Sequence, residues 1–278
     1  MIIISLIQTS QNRRSELLRF VLSLNHQQNI DFNKIQLIFV DQGENRAVFD
    51  ELNKNVMFDY IQANNCSLSH ARNLALPHVK GKYVAFPDDD CWYEPDTLYK
   101  ALKIFSDGNY QGVTGKGLNE RNLPTSVFPD QGAVVTSTQR CAAISYTMFF
   151  LYEPSLLFDE NMGIGSPYNL GSGEETDYML VLMEKFGYNV VYNPTLIVRH
   201  PRSEDVGNKA FLLKKHYSYA RGGGYLMKKH QFPFNYYLKS FVRPILGMIG
   251  YALKGDIYKS KKSFFLLKGR AEGFFYKI

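Results

Sequence analysis

Residues 80–96 constrain this chain more than any other stretch. Tyr83-Val84-Ala85-Phe86 is apolar, with β-branched and aromatic members, and reads as a buried strand. Asp88, Asp89 and Asp90 follow at once. Pro95 then sits where a helix can begin, and Leu98, Ala101, Leu102 and Phe105 continue at helical spacing. That order places three carboxylates at the carboxyl end of a strand, where open α/β sheets bind ligands. Adjacent like charges repel, and a cation relieves the repulsion. Carboxylates suit hard divalent ions such as Mg2+ or Mn2+, which in turn hold phosphate oxygens. The alternative is a solvated acidic turn that caps the next helix. The preceding strand and the Trp92-Tyr93 pair that follows favour the ligand site.

The rest of the first half repeats strand and helix. Residues 2–7 and 35–40 are apolar strands, residues 58–61 a short third, and 83–86 the fourth. Between them, Leu17, Leu18, Phe20, Val21, Leu22 and Leu24 form a wide apolar helix face, and residues 69–76 start another helix with Ser69 as its expected N-cap. The alternation predicts an α/β chain with a doubly wound, mostly parallel sheet. Asp41 directly follows the second strand. It can hydrogen-bond a nucleobase or ribose, or simply close an Asx-turn. Arg72 and Asn73, near a helix start, can meet a phosphate or base, or solvent. No Gly-x-Gly-x-x-Gly follows the first strand and there is no Walker A loop. Any nucleotide is therefore held by a metal and not by a glycine cradle.

After Phe105 the pattern loosens. Residues 116–137 are polar, punctuated by Gly and Pro, and read as a mobile loop near the site. Residues 142–150 are strand-like. A glycine-rich turn over 163–173 leads to Glu174-Glu175-Thr176-Asp177, which opens a helix carrying Met179, Leu180, Leu182, Met183 and Phe186. Acids in a first helical turn suit the helix dipole. The functional reading is a general base held on a rigid helix beside a flexible loop. Residues 190–192 and 196–198 are strand candidates. His200 closes the second, where its imidazole can complete a metal shell or serve structure alone.

Charge divides the chain. Residues 201–278 hold 16 Lys and Arg against 4 Asp and Glu, a net +12, whereas the first 200 residues carry a net −6. The expected organisation is a catalytic domain over 1–200 and a basic, aromatic helical tail over 201–278. In the tail, residues 210–220 read as helix and Gly222-Gly223-Gly224 as a break. The apolar run over 244–253 is ten residues, well below the ~20 that span a bilayer. Aromatic and aliphatic groups between lysines fit helices lying on a membrane surface, or a helical subdomain packed on the sheet. Cys66, Cys91 and Cys141 form no Cys-x-x-Cys pair, which points to a reducing compartment. Residues 1–5 enter a strand with no signal-peptide features, so a cytoplasmic location is expected, with the tail able to reach the inner face of the cell membrane.

Together these pieces resemble the family 2 glycosyltransferases, inverting enzymes of the GT-A fold, and among them the bacterial enzymes of exopolysaccharide and capsule synthesis. The matching stretches are 4–13, 39–43, 69–73, 81–92 and 173–200, in the family's order. The resemblance implies that Asp41 reads the nucleobase, that Thr9 and Arg72 line the nucleotide pocket, and that Asp88-Asp89-Asp90 carries the Mn2+ or Mg2+ and the diphosphate. It implies Glu175 as catalytic base, with Glu174 and Asp177 beside it. The donor would be a nucleotide sugar, a UDP-sugar first, and the acceptor a saccharide, free or lipid-linked. Nucleic acid is not an expected partner. The chain departs from the family at Gln8, where a proline is usual, at Gln42, where a second acid is usual, and at Glu175, where the family often has Asp. A nucleotidyltransferase would also need an acid-held metal, but it wants a glycine- and lysine-rich first loop, and residues 8–14 contain no glycine. A non-catalytic carbohydrate- or membrane-binding protein would need neither acidic cluster.

Overall fold

The structure, a computed structural model, describes residues 1–138, 143–202 and 208–277. Cys141 and Ala142 lie outside the described residues. The chain divides into two compact units. The first holds Met1–Cys66, His70–Leu157 and residues 181–202. The second holds Ser67–Ser69, Phe158–Leu180 and residues from 208 onward.

The first unit is built on one sheet. Its strands in chain order are β1 (Ile4–Ser10), β2 (Ile35–Asp41), β3 (Met57–Gln62), β4 (Tyr83–Ala85), β5 (Trp92–Tyr93), β6 (Gly112–Leu118), β7 (Ala133–Val134), β8 (Met148–Leu151) and β9 (Val190–Arg199). The spatial order is β3-β2-β1-β4-β8-β6-β9-β5, with β7 on β9. Strands β1 to β4 pair in parallel; β1 and β2 are buried almost throughout, as strands covered on both faces are, and β3 at the edge is half-buried. Strand β8 enters antiparallel between β4 and β6. Helices α1 (Arg14–Asn25) and α3 (Thr97–Ser106) serve this core. Leu17, Phe20, Val21 and Leu24 of α1 bury against Ile4, Leu6, Ile35, Leu37 and Phe39.

Several expectations change. The two strands read over 190–192 and 196–198 are one, β9, with Pro194 inside it. Pairing with β6 jumps from Thr114↔Tyr192 to Lys116↔Ile197, so Pro194, which has no N–H, sits in the stretch that skips the ladder. The loop read over 116–137 begins as the end of β6 and contains β7. Ser69 does not cap its helix. It lies inside α2 (Leu68–Ala75), and its hydroxyl donates to the Met162 carbonyl at 2.7 Å.

The second unit carries the start of α4 (Glu174–Phe186) and the helices α5 (Lys209–Lys229), α6 (Phe234–Leu253) and α7 (Ile257–Phe275). The glycine triplet does not break α5; it gives the helix a face without side chains. A Cβ on Gly222 would run into the Ser172 backbone, and one on Gly224 into the Arg270 carbonyl. Gly269 and Gly273 of α7 return the contact, against the carbonyls of Tyr217 and Arg221. Helix α6 likewise continues through Pro244. Proline cannot donate to the carbonyl four residues back. The Arg270 guanidinium of α7 donates to that carbonyl, Ser240 O, at 2.6 Å. Among the described residues, no helix is long and apolar enough to cross a membrane.

Candidate active site

In the first unit, β4 ends on buried apolar side chains and Pro87 turns the chain into the three aspartates. The Cys91 N–H donates to the Asp88 carbonyl at 3.2 Å and closes the turn. Because β1 and β4 are parallel neighbours, with Leu6 opposite Ala85, the loop after β1 arrives beside the loop after β4. Two residues at the end of β1 and one from the loop after it reach across. Gln8 Nε2 donates to Asp88 O at 3.2 Å, and Ser10 Oγ to Asp89 Oδ2 at 2.6 Å. Arg13 Nη1 bridges Asp89 Oδ1 at 3.3 Å and Asp90 Oδ2 at 2.6 Å. From α2, the buried Arg72 puts Nη2 3.2 Å from Asp88 Oδ1, and Ser145 Oγ donates to the same oxygen at 2.9 Å. His200, one residue past β9, places Nε2 2.8 Å from Asp90 Oδ1 and 3.8 Å from Asp88 Oδ2. Its ring stacks on Tyr146 with centroids 4.4 Å apart.

The consecutive carboxylates thus have different surroundings. Burial pushes Asp89 up to about 6, against the Ser10 hydrogen bond and the Arg13 charge. Burial also acts to raise Asp90, but the His200 hydrogen bond and the charges of His200 and Arg13 win and hold it at about 2. Burial acts to lower His200, and its bond to Asp90 with the nearby carboxylate charges leaves it raised.

Asp88, Asp90 and His200 offer ligand atoms that all lie within 4.8 Å of one another. Two hard oxygens and one imidazole nitrogen suit Mn2+ or Mg2+. His200 Nδ1 lies 2.6 Å from the Pro201 carbonyl, which fixes Nδ1 as the donor and turns Nε2 toward the carboxylates. The residues present therefore fit a divalent cation.

Asp41 is fully buried and accepts four hydrogen bonds: from Gly43 N, Asn45 N, Asn45 Nδ2 and the Tyr60 hydroxyl, at 2.7–2.9 Å. The Asx-turn foreseen as one alternative is therefore present, and Tyr60 is the partner that a base would have to replace. Thr9 is half-buried at the end of β1, opposite Val40.

In the second unit, Gly173 takes a positive φ of 97°, which glycine adopts without strain, and α4 starts at the next residue. Glu174 and Asp177 are buried at 5% and 3% exposure, whereas Glu175 is partly open. Asp177 Oδ1 lies 2.9 Å from His230 Nε2 and 2.9 Å from Lys229 Nζ, and Lys229 also meets Asp159 Oδ2 at 2.6 Å. The structure therefore gathers Asp88, Asp90, His200 and Arg72 in one place and surrounds Asp177 with residues from the end of α5. Sequence reasoning missed Arg13, Ser10, Lys229 and His230. Parallel pairing of β1 with β4 would have pointed to the first two; nothing local points to the last two.

The sequence profile described as glycosyl transferase family 2 matches residues 5–158, more than half of the chain. The chain is 35% identical over 80 residues to the glycosyltransferase GlyA of Streptococcus pneumoniae serotype 4, covering 26% of this chain and 11% of that protein. It is 28% identical over 124 residues to the poly(ribitol-phosphate) β-N-acetylglucosaminyltransferase TarS of Staphylococcus aureus strain Mu50, covering 44% of this chain and 21% of that protein. These matches span about a fifth or less of the relatives' length. Among solved structures, residues 1–349 of S. aureus TarS with UDP align at a TM-score of 0.59 and 15% identity, covering 99% of this chain and 93% of that one. The Pyrobaculum calidifontis mannosyltransferase PcManGT, with GDP-Man and Mn2+, aligns at 0.64 and 14% identity, covering 98% and 87%. At such identities the likeness is one of fold.

Proposed function

This chain belongs to glycosyl transferase family 2, and from that premise we propose an inverting transfer of a sugar from a nucleoside-diphosphate sugar to a saccharide acceptor. The fold is the mixed α/β arrangement of GT-A glycosyltransferases with C-terminal helices. The observation that carries the proposal is the convergence of Asp88, Asp90 and His200 after β4 and β9.

Residues 1–200 are assigned to the donor and the chemistry, and residues 201–278 to a tail. Asp88, Asp90 and His200 would hold Mn2+ or Mg2+, with Asp89 and Arg72 beside them for the diphosphate. A divalent ion bound there supplies charge stabilisation for the leaving diphosphate. Thr9 and the loop pinned by Asp41 are assigned to the nucleotide, with Tyr60 as the group nearest to a base. A UDP-sugar is the proposed donor; TarS, a structural neighbour, is seen with UDP and with UDP-GlcNAc.

Glu175 is the proposed base. It is the one acid of its turn whose residue is half-buried and not buried, with its Oε2 covered. Its carboxylate takes the proton of an acceptor hydroxyl while that oxygen bonds to the anomeric carbon. The bond from that carbon to the diphosphate oxygen breaks on the opposite face, and the configuration inverts. Glu174 and Asp177 then keep the turn in place. The acceptor is a saccharide, lipid-linked, in surface polysaccharide synthesis, met at the inner face of the cell membrane.

The test is transfer at saturating donor with donor affinity measured separately. Glu175→Gln should lower turnover by about 10²–10⁴ with donor binding kept, and Glu174→Gln by less. Full activity in Glu174→Gln, Glu175→Gln and Asp177→Asn alike would remove this mechanism.

A further inference from the structure

We propose that the outer face of α6 is a membrane-surface helix that takes anionic phospholipid. Phe234, Leu238, Val242, Leu246, Ile249 and Leu253 recur at intervals of four, four, four, three and four residues, and all six are exposed. Phe234, Leu246 and Leu253 expose 78%, 65% and 84% of their surface. At 100° per residue the six fall within a stripe about 120° wide that runs along about 30 Å of helix. The opposite side is occupied. Tyr237 and Phe241 meet Phe274 of α7 at 5.3 and 6.2 Å between ring centroids, and Pro244 is buried. The exposed stripe is therefore not a core face waiting for α7.

Contiguous apolar surface of this kind marks an interaction site. Charge selects the occupant. Lys239 and Arg243, both exposed, adjoin the Leu246 edge of the stripe, and exposed Lys254, Lys259 and Lys261 follow it. Residues 201–278 carry a net +12. A second copy seated on this face would bring two such tails together, against their mutual repulsion. An anionic lipid surface offers apolar depth for the stripe and negative headgroups for its flank, the arrangement of an interfacial helix. Each basic residue near such a surface is worth roughly fivefold in binding.

The inference rests on the membrane location proposed above and names the surface that would meet it. The test is flotation of the full chain with vesicles of phosphatidylcholine alone or mixed with phosphatidylglycerol, without donor or acceptor. Association should require phosphatidylglycerol and weaken as salt rises. Leu246→Glu with Ile249→Glu should reduce it at least tenfold. Lys239→Glu with Arg243→Glu, which leaves the packed face untouched, should do the same, so a folding defect in the first pair would not hide the result. Flotation of both double variants equal to that of the unaltered chain would overturn the inference. So would failure of the unaltered chain to float, or self-association that Leu246→Glu with Ile249→Glu abolishes, which would give the face to a second copy. Sugar transfer to a soluble acceptor by a chain that does not float would sink this inference and the membrane location with it, and leave the proposed sugar transfer from a nucleotide sugar standing.

Discussion

Asp90 and Asp177 each have a histidine Nε2 close by, at 2.8 and 2.9 Å, and each shares a basic side chain with a second aspartate, but they differ in burial and in what converges on them. Asp90 is 19% exposed and stands beside two more carboxylates, with Arg13, Arg72 and His200 reaching in from three separate elements. The Asp177 side chain is 4% exposed and shares one lysine with Asp159, and both of its partners, Lys229 and His230, come from the last residue of α5 and the one after it. In the first cluster three acids face Arg13, Arg72 and His200, but the carboxylates stay partly exposed and oxygens of Asp88 and Asp90 converge with an imidazole nitrogen. Such a group can exchange a protein partner for an ion. In the second, acids and bases are matched and closed off, which is what a structural tie needs. The same residue types thus make a group able to take an ion or a closed knot, according to burial and the convergence of their ligand atoms.

The comparison breaks if the two clusters respond alike to losing a member. The largest effect expected is on stability. Lys229→Met leaves Asp177 buried without its lysine, and breaking a buried pair costs about 3–5 kcal/mol. About 3 kcal/mol is expected here, because His230 remains and Lys229 is partly exposed; urea unfolding measures it. Unchanged stability would show the knot to be incidental.

Next comes Asp88→Asn with Asp90→Asn. Manganese-dependent binding of UDP, read by calorimetric titration with and without the ion, should fall at least about a hundredfold, since even partners behind a metal ligand are worth about 10–100-fold. The chain should stay folded, with its unfolding midpoint lowered, because Asp90 held at about 2 and the Asp88–Arg72 pair both favour the folded state. Retained affinity, or collapse of the fold, would erase the contrast.

The smallest effect sharpens it. Burial acts to raise the Asp159 carboxyl, but Lys229 and Asn161 win and hold it below its ordinary value. A depressed carboxyl stabilises the folded chain above the unfolded value, near 4, and that contribution is lost as pH falls through the folded value. The stability difference between the unaltered chain and Asp159→Asn, about 1 kcal/mol or less at neutral pH, should therefore shrink below pH 4. Lys229, Asp177, His230 and Tyr225 surround this group, and a difference that grows on acidification would point to one of them instead.

Much of the first unit was legible because its signals are local. An apolar run followed by acids reads the same in the chain as in the sheet, and strands β1 to β4 stand where periodicity put them. Arg13 was not legible alone, since its role depends on β1 lying beside β4, a fact of topology and not of spacing. Pro194 and the glycine triplet misled for a different reason. Each weakens its element locally, and each is retained because a distant partner supplies the compensation: a skipped ladder for Pro194 and backbone contact for Gly222. Ser69 has the composition of a cap, yet Met162, far along the chain, claims its hydroxyl.

The side-chain-free face of α5 also bears on the order in which the chain can assemble. Three consecutive glycines cost a helix about 3 kcal/mol relative to alanine, and most helical stability in a folded chain comes from packing and not from propensity. The segment around Gly222 therefore has little reason to be helical until the Ser172 backbone and the Gly269–Gly273 side of α7 are in place to meet it. Because Ser172 immediately precedes the residues that open α4, the turn bearing Glu175 is completed only when the far end of the chain has arrived. A nascent chain still short of α7 would hold Asp88, Asp89 and Asp90 in sheet order while the turn bearing Glu175 remained unformed, so that this turn is a late event in folding.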